Sequence, residues 1–329
     1  MYKNILFICG KTDLTADLVL LALKKYKNIK VIRLNVEDFP TKIKFTSKFI
    51  TNKKSWTNSF LNSKLNKEFD LSKITSVYYR PHKNPIASRK IKNKLYRKLI
   101  QEQSLLLIEW LEDTLDCFWL NSPRAINKAR SKILQLKTAS IFGLQTPDSL
   151  ITNNPKRALN FYNKHKGNIA VKLLQATPST RKLPGFIFTK KLTEKDIQSI
   201  SQVAHSPVFF QEYIPKNYEI RATVIGNEVF AAKIESQSLD ETKYDWRRYK
   251  FGNPPPHIKI KLPKNIKEKL IRINDYLNIK FAAYDLIVKP NNQYVFLELN
   301  ANGQWGWIEQ LTNLPISDNI AKILIEGEK

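Results

Sequence analysis

The stretch that decides the fold is FAAYDLIVKPNNQYVFLELNANG, residues 281–303 of a 329-residue chain. Two apolar runs flank the turn-forming residues KPNNQ, a pattern that predicts a β-hairpin. Because side chains alternate along a strand, Glu298 and Asn300 share one face, and pairing brings Asp285 of the first strand beside them. These hard oxygen donors suit magnesium with bridging phosphates. The alternative is a solvated polar face on an edge hairpin, although the apolar neighbours argue that these carboxylates need a partner cation.

Net charge is the strongest compositional signal, because 55 Lys and Arg against 29 Asp and Glu leave +26. Such an excess attracts polyanions, or reflects lysines spread over helix faces and loops; no basic block of the nucleic-acid type stands out, and we expect no nucleic-acid partner. No apolar run reaches the roughly 18 residues of a membrane span, so we expect no membrane partner and a cytoplasmic protein. Cys9 and Cys117 lie in apolar runs, which favours free buried thiols over a disulfide or a metal pair, and the four His form no zinc motif.

Periodicity predicts an α/β fold in three ranges: a first lobe over 1–120, a small central lobe over 121–213 and a last lobe over 214–329. The first opens as βαβ, with strand NILFIC, a helix and strand KVIRLN, and continues to a long helical pattern over 88–114. A helix is predicted from Ser122 to Gly143.

The central lobe has predicted strands NIAVKLL, GFIFTKKL and PVFFQEYI. Between the first two lies QATPSTRKLPG, residues 175–185, whose Ser, Thr and Arg181 are candidates to fold over a phosphate. Lys172 lies mid-strand among apolar residues, where a charge needs an anionic partner or a route to solvent. Lys132 lies in the helical sequence ARSKILQL and is either a phosphate ligand or an ordinary exposed helix lysine.

A nucleotide base would find a place where the third of these strands ends, at residues 211–214. A linker of this kind reads adenine through a backbone amide and carbonyl, an acidic side chain and an apolar wall. Two residues apart on the next strand, Glu219 and Arg221 share a face, pairing an acceptor for ribose hydroxyls with a guanidinium for phosphate.

In this order, Lys132, Lys172, FFQEYI, YEIRATVIG, FAAYDL and FLELNANGQW resemble an ATP-grasp carboxylate ligase from about residue 121 to the end. The ending ELNANGQWGW and the segment TKYDWRRY are similar to the peptide maturases that make graspetides, the microviridin-type macrocyclases. The resemblance implies an ATP-grasp fold with an N-terminal pre-ATP-grasp α/β domain, with which the YYRP strand end is compatible. It also implies a homodimer.

The resemblance implies roles for individual residues. Asp285, Glu298 and Asn300 would hold magnesium, and Arg221 would face the γ-phosphate and the acyl phosphate. Many ATP-grasp ligases have an arginine where this chain has Lys233, the further candidate for the reacting centre. The implied ATP-binding residues are Lys132, Lys172, Gln211, Glu212, Tyr213, Ile214 and Glu219.

The implied partner is a precursor peptide with a leader and an acidic core, whose Asp or Glu side chains are joined to Thr or Ser hydroxyls or to Lys amines. Asp245, Arg247 and Arg248 in DWRRY are the candidates for presenting that peptide at ATP, with Arg247 at the reacting carboxylate; a structural turn is the alternative. Arg80 is either a substrate contact or a salt bridge at a domain interface. Two rival functions stay open: an ATP-grasp ligase for amino acids or small molecules, and a non-enzymatic binder of polyanions.

Overall fold

The computed structural model describes residues 2–80, 83–174, 189–249 and 252–327. The chain divides into two compact units, and the last segment of the chain returns to the first unit. Unit 1 comprises Met1–Lys128, Leu277–Phe281 and Ala301–Lys329, and unit 2 comprises Ala129–Tyr276 and Ala282–Asn300. The mixed α/β class is confirmed, and the boundaries at residues 120 and 213 stay predictions.

Unit 1 contains a four-stranded parallel sheet in the order β2-β1-β6-β7 and a three-stranded antiparallel sheet in the order β3-β4-β5. Its strands are β1 (Lys3–Cys9), β2 (Ile29–Asn35), β3 (Ile43–Ile50), β4 (Ser55–Asn62), β5 (Lys67–Asp70), β6 (Ser76–Arg80) and β7 (Phe118–Leu120). Its helices are α1 (Leu14–Leu23), α2 (Lys94–Glu109), α3 (Pro123–Ala129, which reaches the unit boundary), α8 (Gly306–Thr312) and α9 (Ile316–Glu326).

The βαβ opening is confirmed and follows from burial. Residues 5–9 of β1 are fully buried, as expected for a central parallel strand whose two faces are both covered. Asp13 then starts α1, because its carboxylate accepts hydrogen bonds from the backbone N–H groups of Thr15 and Ala16.

Unit 2 contains a four-stranded antiparallel sheet, β10-β9-β11-β8, and a five-stranded sheet, β14-β13-β12-β15-β16, within the described residues. Its strands are β8 (Ser149–Thr152), β9 (Ile169–Lys172), β10 (Lys190–Lys191), β11 (Val208–Glu212), β12 (Tyr218–Ile225), β13 (Glu228–Ile234), β14 (His257–Ile260), β15 (Phe281–Val288) and β16 (Tyr294–Asn300). Its helices are α4 (Lys132–Ile141), α5 (Pro155–Lys164), α6 (Glu194–Ile197) and α7 (Lys264–Tyr276).

Each sheet of unit 2 packs against a helix. In the smaller sheet, Ile169 and Phe210 form a buried cluster with Ala158 of α5. In the larger sheet, Tyr284 is fully buried, and its hydroxyl bonds to the Leu270 carbonyl and the Asn274 side chain of α7. The opposite face of the larger sheet is therefore left for the polar residues of β12, β15 and β16.

Three predicted elements have different bounds. The helix predicted from Ser122 to Gly143 is two helices, because Ser131 leaves the helical conformation and caps α4 by accepting from the Leu134 N–H. The pattern over 88–114 yields the shorter α2, which starts after the capping residue Asn93. Only the end of the predicted strand GFIFTKKL is described, as β10, whereas the loop with Arg181 lies outside the described residues.

In the part of the chain that the structure describes, no helix is both long enough and apolar enough to cross a membrane. The two cysteines are free thiols, as predicted. Cys9 is buried, whereas Cys117, which was also expected to be buried, is partly exposed. Burial raises the pKa of Cys9 to about 11, so its thiol is protonated at neutral pH.

Asn121 follows β7 and forms hydrogen bonds within unit 1 to backbone groups at the two ends of the β15–β16 hairpin. Its side-chain amide donates to the carbonyls of Phe281 and Ala301, each at 2.7 Å. Its carbonyl oxygen accepts from the N–H groups of Lys280 at 2.7 Å and Phe281 at 3.0 Å. The side chain is 3% exposed, so these backbone groups have no ready access to water as a substitute partner.

We therefore expect Asn121→Leu, which keeps the size of the side chain, to lower the free energy of unfolding by about 3 kcal/mol. Chemical denaturation measures this change. The control is the exposed Asn153→Ala, for which a change within about 0.5 kcal/mol is expected. Equal changes in the free energy of unfolding for the two substitutions would contradict a stabilising role for the Asn121 hydrogen bonds.

Candidate functional site

The predicted pair of carboxylates forms on β15 and β16. Asp285 lies directly opposite Glu298 in the antiparallel register, and Asn300 lies opposite Ala283. Both carboxylates therefore point to the same face of the sheet, while Leu299 between the two β16 residues is 2% exposed and points to the other. The side chains of Asp285 and Glu298 are 23% and 37% exposed, which leaves them open to a ligand.

A β-bulge in β16 determines which of its side chains share a face with Asp285. Asp285 pairs with Glu298 but the next residue, Leu286, pairs with Phe296, so Leu297 is an extra residue. Simple alternation would put Phe296 and Glu298 on one face. The bulge instead places Phe296 with Leu286, on the face opposite the carboxylates.

Each carboxylate has a cation from a different element. The Lys132 ammonium at the start of α4 lies 2.5 Å from a Glu298 oxygen, and the Arg221 guanidinium on β12 lies 2.7 Å from Asp285. Burial raises the pKa of Glu298, but the charges of Lys132 and Lys172 outweigh it and hold that pKa at about 2. Burial, with the Glu298 charge, raises the pKa of Asp285 against the opposing effect of Arg221.

Lys172 is the partly buried cation that β9 contributes to the site. Its ammonium donates to the Gln211 side-chain oxygen at 2.6 Å, and the Gln211 amide in turn donates to the Ser149 hydroxyl at 3.1 Å. Burial lowers the pKa of Lys172, and the Lys132 charge adds to this effect, while the carboxylates of Glu298 and Asp285 oppose it. Lys172 therefore gives up its proton more readily than a surface lysine.

Glu219, the candidate for ribose, lies two residues before Arg221 on β12, and its carboxylate lies 2.7 Å from the Lys216 ammonium. Burial raises the pKa of Glu219, while Lys216 opposes the rise. Lys216, whose side chain is 5% exposed, was not predicted from the sequence. Its signal was a lysine at i−3 from an acidic strand residue in IPKNYE, a spacing that usually marks a solvated pair.

The segment predicted to take adenine borders an apolar patch. Ile214, Ile287 and Val295 form a buried cluster with Leu297 against it, on the same face of the sheet as Asp285. The Tyr213 N–H donates to the Asn168 carbonyl at 2.9 Å, so this N–H is not available to a base. An aromatic ring at this place would find an apolar wall and the backbone after Tyr213.

Glu212 and Tyr213 have partners of their own. A Glu212 carboxylate oxygen accepts from the Asp148 N–H at 3.2 Å. The Lys191 ammonium lies 4.9 Å from the centre of the Tyr213 ring. Lys191 was not predicted as a site residue.

Asp245 holds Arg247 through two parallel contacts. Its carboxylate oxygens lie 2.7 Å from Nε and 2.5 Å from Nη2 of Arg247, and one of them also accepts from the Thr189 N–H at 3.0 Å. Hydrogen bonding to the Asp245 carboxylate raises the pKa of Arg247, and the charges of Asp285 and Glu298 also contribute to this rise. The DWRRY segment therefore brings a fixed guanidinium into the field of the two carboxylates.

Lys233 and Arg248, two further predicted site residues, have contacts of their own. Lys233 pairs with Ile220, so it faces away from Glu219 and Arg221, and its ammonium contacts Glu235 at 2.6 Å and the Tyr218 ring. We therefore leave Lys233 out of the proposed site. Arg248 is exposed, and its backbone N–H donates to the Asp245 carbonyl.

Arg80 belongs to unit 1 and is 1% exposed. It donates to Asp13 at 3.3 Å, to the Asn302 side chain at 3.1 Å and to the Gly303 carbonyl at 3.3 Å. A salt bridge, the alternative to a substrate contact, is thus among its contacts, and its role toward a substrate stays a prediction.

The donor set fits magnesium bound together with a polyphosphate. Among the described residues, no group of three or more His, Cys, Asp and Glu side chains could hold a metal ion alone. Two carboxylates and the Asn300 amide would therefore give magnesium an incomplete oxygen shell, of the kind that phosphate oxygens complete in nucleotide sites. Lys132, Lys172 and Arg221 surround the carboxylates with the charge that a polyphosphate requires.

Two family models match the sequence of this chain. The family described as MvdD pre-ATP grasp domain matches residues 4–127, and the RimK-like ATP-grasp domain matches residues 125–324. Among curated proteins, the glutamate–LysW ligase ArgX of Sulfurisphaera tokodaii is 26% identical over 215 residues, which are 63% of this chain and 73% of that protein.

Two solved structures resemble the whole chain. One is a RiPP-associated ATP-grasp ligase of Chryseobacterium gregarium in complex with ADP and a leader and core peptide, with 27% identity, a TM-score of 0.88, and coverage of 99% of this chain and 98% of that chain. The other is the macrocyclase MdnC of Microcystis aeruginosa MRC bound with precursor peptide MdnA, with 26% identity, a TM-score of 0.84, and coverage of 98% and 99%.

These likenesses confirm the predicted resemblance to ATP-grasp peptide maturases and the predicted ATP-grasp fold with an N-terminal pre-ATP-grasp domain. The RimK-like match alone covers well over half of the 329 residues. The chain therefore belongs to the RimK-like ATP-grasp family of ATP-dependent ligases.

Proposed function

We propose that this protein uses ATP and magnesium to activate Asp or Glu side chains of a ribosomal precursor peptide, and joins them to Thr or Ser hydroxyls or to Lys amines in macrocyclic esters or amides. The observation that carries the proposal is the pair Asp285 and Glu298, each matched with a cation, in a chain whose full length resembles ligases solved with precursor peptides.

The charged residues of unit 2 would have two kinds of role, magnesium binding and phosphate binding. Asp285, Glu298 and Asn300 would hold magnesium, which supplies positive charge at the phosphoryl group that is transferred. Lys132, Lys172 and Arg221 would bind the ATP phosphates. The contacts of Lys132 with Glu298 and of Arg221 with Asp285, together with the effect of the Glu298 charge on Lys172, support a shared phosphate site. Catalysis of this kind depends on positioned charge and geometry, without a dedicated nucleophile in the protein.

The nucleoside would lie beside these cations. Ile214, Ile287 and Val295 would form the wall against adenine, with Glu212 and the backbone after Tyr213 at its edge and Gln211 steadying Lys172. Glu219 would accept from the ribose hydroxyls. Burial disfavours its ionised form and Lys216 opposes this, so the pair sustains an acceptor in an apolar setting.

A peptide carboxylate would be received at Arg247, with Arg248 as an outer contact. Asp245 fixes two of the Arg247 nitrogens, which limits the directions from which a substrate carboxylate can be bound. The +26 charge of the chain favours association with an acidic core peptide. The homodimer remains part of the proposal on the strength of the resemblance alone.

An amino-acid ligase is the second candidate, because the curated relatives include glutamate ligases such as ArgX and a probable alpha-L-glutamate ligase of Enterobacter. The two functions differ in their products. A macrocyclase removes water within one peptide, whereas an amino-acid ligase adds the mass of a residue to its acceptor.

We expect Glu298→Gln, which keeps the size of the side chain and removes its charge, to slow ring formation by about 100-fold or more. A candidate precursor peptide encoded beside the gene for this chain is incubated with protein, ATP and magnesium. Mass spectrometry should show stepwise loss of one water per ring with the unaltered protein.

The matched control is Glu228→Gln, an exposed carboxylate on β13 of the same sheet, which should leave the rate within about twofold. Ring formation by Glu298→Gln at the normal rate would refute the assigned role. Addition of an amino acid to the peptide, in place of water loss, would favour the ligase alternative.

The lowered pKa of Lys172 predicts that binding of ADP with magnesium weakens at alkaline pH. Its ordinary pKa is 10.5, and the folded protein holds it below that value, so the charge is lost earlier as pH rises. Above the pKa of Lys172, the affinity should fall by up to about tenfold per pH unit. Isothermal titration from about pH 7 to pH 10 measures this dependence.

Lys172→Arg is the control, since a guanidinium stays protonated throughout this range. It should remove the part of the pH dependence that belongs to Lys172. The same steep decline in both proteins would show that another group titrates.

A further inference from the structure

Gln135 is a buried side chain close to the proposed metal ligands, and the proposed function gives it no role. Gln135 lies on α4, one turn after Lys132, and is 2% exposed. Its amide nitrogen donates to the carbonyls of Ala129 at 2.6 Å and Leu299 at 2.9 Å. Its amide oxygen accepts from the Leu299 N–H at 3.2 Å.

Gln135 thus pairs with both backbone groups of one residue, as a neighbouring strand would. β16 is the last strand in the described order of its sheet, so its outer edge needs partners. Further along that edge, the Phe296 N–H donates to the Gln145 carbonyl at 2.8 Å. At Leu299 the partner is a side chain, which can be changed by mutation without removing a strand.

Leu299 stands between Glu298 and Asn300, both of which point to the face of the carboxylate pair. Fixing the N–H and carbonyl of Leu299 fixes the peptide units on both sides of it, and so the directions in which the two side chains leave the backbone. The same helix carries Lys132, whose ammonium contacts Glu298 at 2.5 Å.

We propose that Gln135 is the positioning residue of the metal site: by pairing with Leu299 it sets the directions of Glu298 and Asn300 and their distance from Lys132. This proposal rests on the proposed function, because it takes these residues as ligands of magnesium bound with a nucleotide. Groups that orient metal ligands without touching the metal typically change metal affinity by 10- to 100-fold when they are lost.

Two variants separate this role from bulk stability. Gln135→Met keeps the length and removes every hydrogen bond, so the magnesium concentration that gives half-maximal ADP binding should rise by about tenfold or more at all pH values. Gln135→Glu keeps an acceptor for the Leu299 N–H and, when protonated, one donor. Because the carbonyls of Ala129 and Leu299 favour its protonated form, its defect should be small at low pH and grow as pH rises.

The measurement is isothermal titration of ADP into the full chain over a series of magnesium concentrations, with circular dichroism to verify folding. Gln145→Ala is the control, since Gln145 is exposed and reaches β16 through its backbone; it should shift the midpoint by less than about twofold. Should Gln135→Met fail to fold, the pH profile of Gln135→Glu decides the question.

An unchanged magnesium midpoint in folded Gln135→Met, or a midpoint in Gln135→Glu that follows the same pH dependence as that of the unaltered protein, would overturn the positioning role. Failure of the unaltered protein to bind ADP in the presence of magnesium would instead overturn the proposed function. The two failures are therefore distinguishable in one series of titrations.

Discussion

The interaction on which the rest of unit 2 depends is the placement of two carboxylates directly opposite each other on neighbouring strands. Asp285 and Glu298 repel each other, and their partial burial makes the repulsion costly. Such a pair persists only with cations beside it, and three separate elements provide them. Lys132 comes from α4, Lys172 from β9 and Arg221 from β12, so the site links both sheets of the unit to one helix.

This arrangement explains why a nucleotide with magnesium is the ligand that fits best. In the proposed complex, magnesium would replace the cations at the carboxylates, and the phosphates would replace the carboxylates at the cations. Both charge sets are then satisfied without a large change in net charge. A lone metal ion would leave Lys132, Lys172 and Arg221 without anions, and a polyphosphate alone would leave Asp285 and Glu298 facing it.

The sequence predicted most of this site because charged residues in apolar strands carry strong constraints. Alternation puts Glu298 and Asn300 on one face of β16, and Lys172 in an apolar strand needs an anion. What the sequence did not reveal depends on register. The turn alone would pair Asp285 with Leu297, and the bulge at Leu297 is what brings Asp285 opposite Glu298. Local patterns do not resolve such a one-residue shift. The orientation of Lys233, which faces away from Arg221, and the break of a predicted helix at Ser131 were not predicted either. Gln135 escaped notice because a glutamine in a helix is ordinarily solvated.

The central claim is that the charges around Asp285 and Glu298 serve to activate a carboxylate by phosphoryl transfer. The most direct test is incubation of a candidate precursor peptide with the protein, ATP and magnesium in the presence of hydroxylamine, followed by peptide fragmentation and nucleotide analysis. The account predicts ADP together with hydroxamates on Asp or Glu side chains, since hydroxylamine intercepts an acyl phosphate. AMP in place of ADP, or ATP consumption with unmodified acidic side chains in a peptide that is otherwise altered, would contradict it.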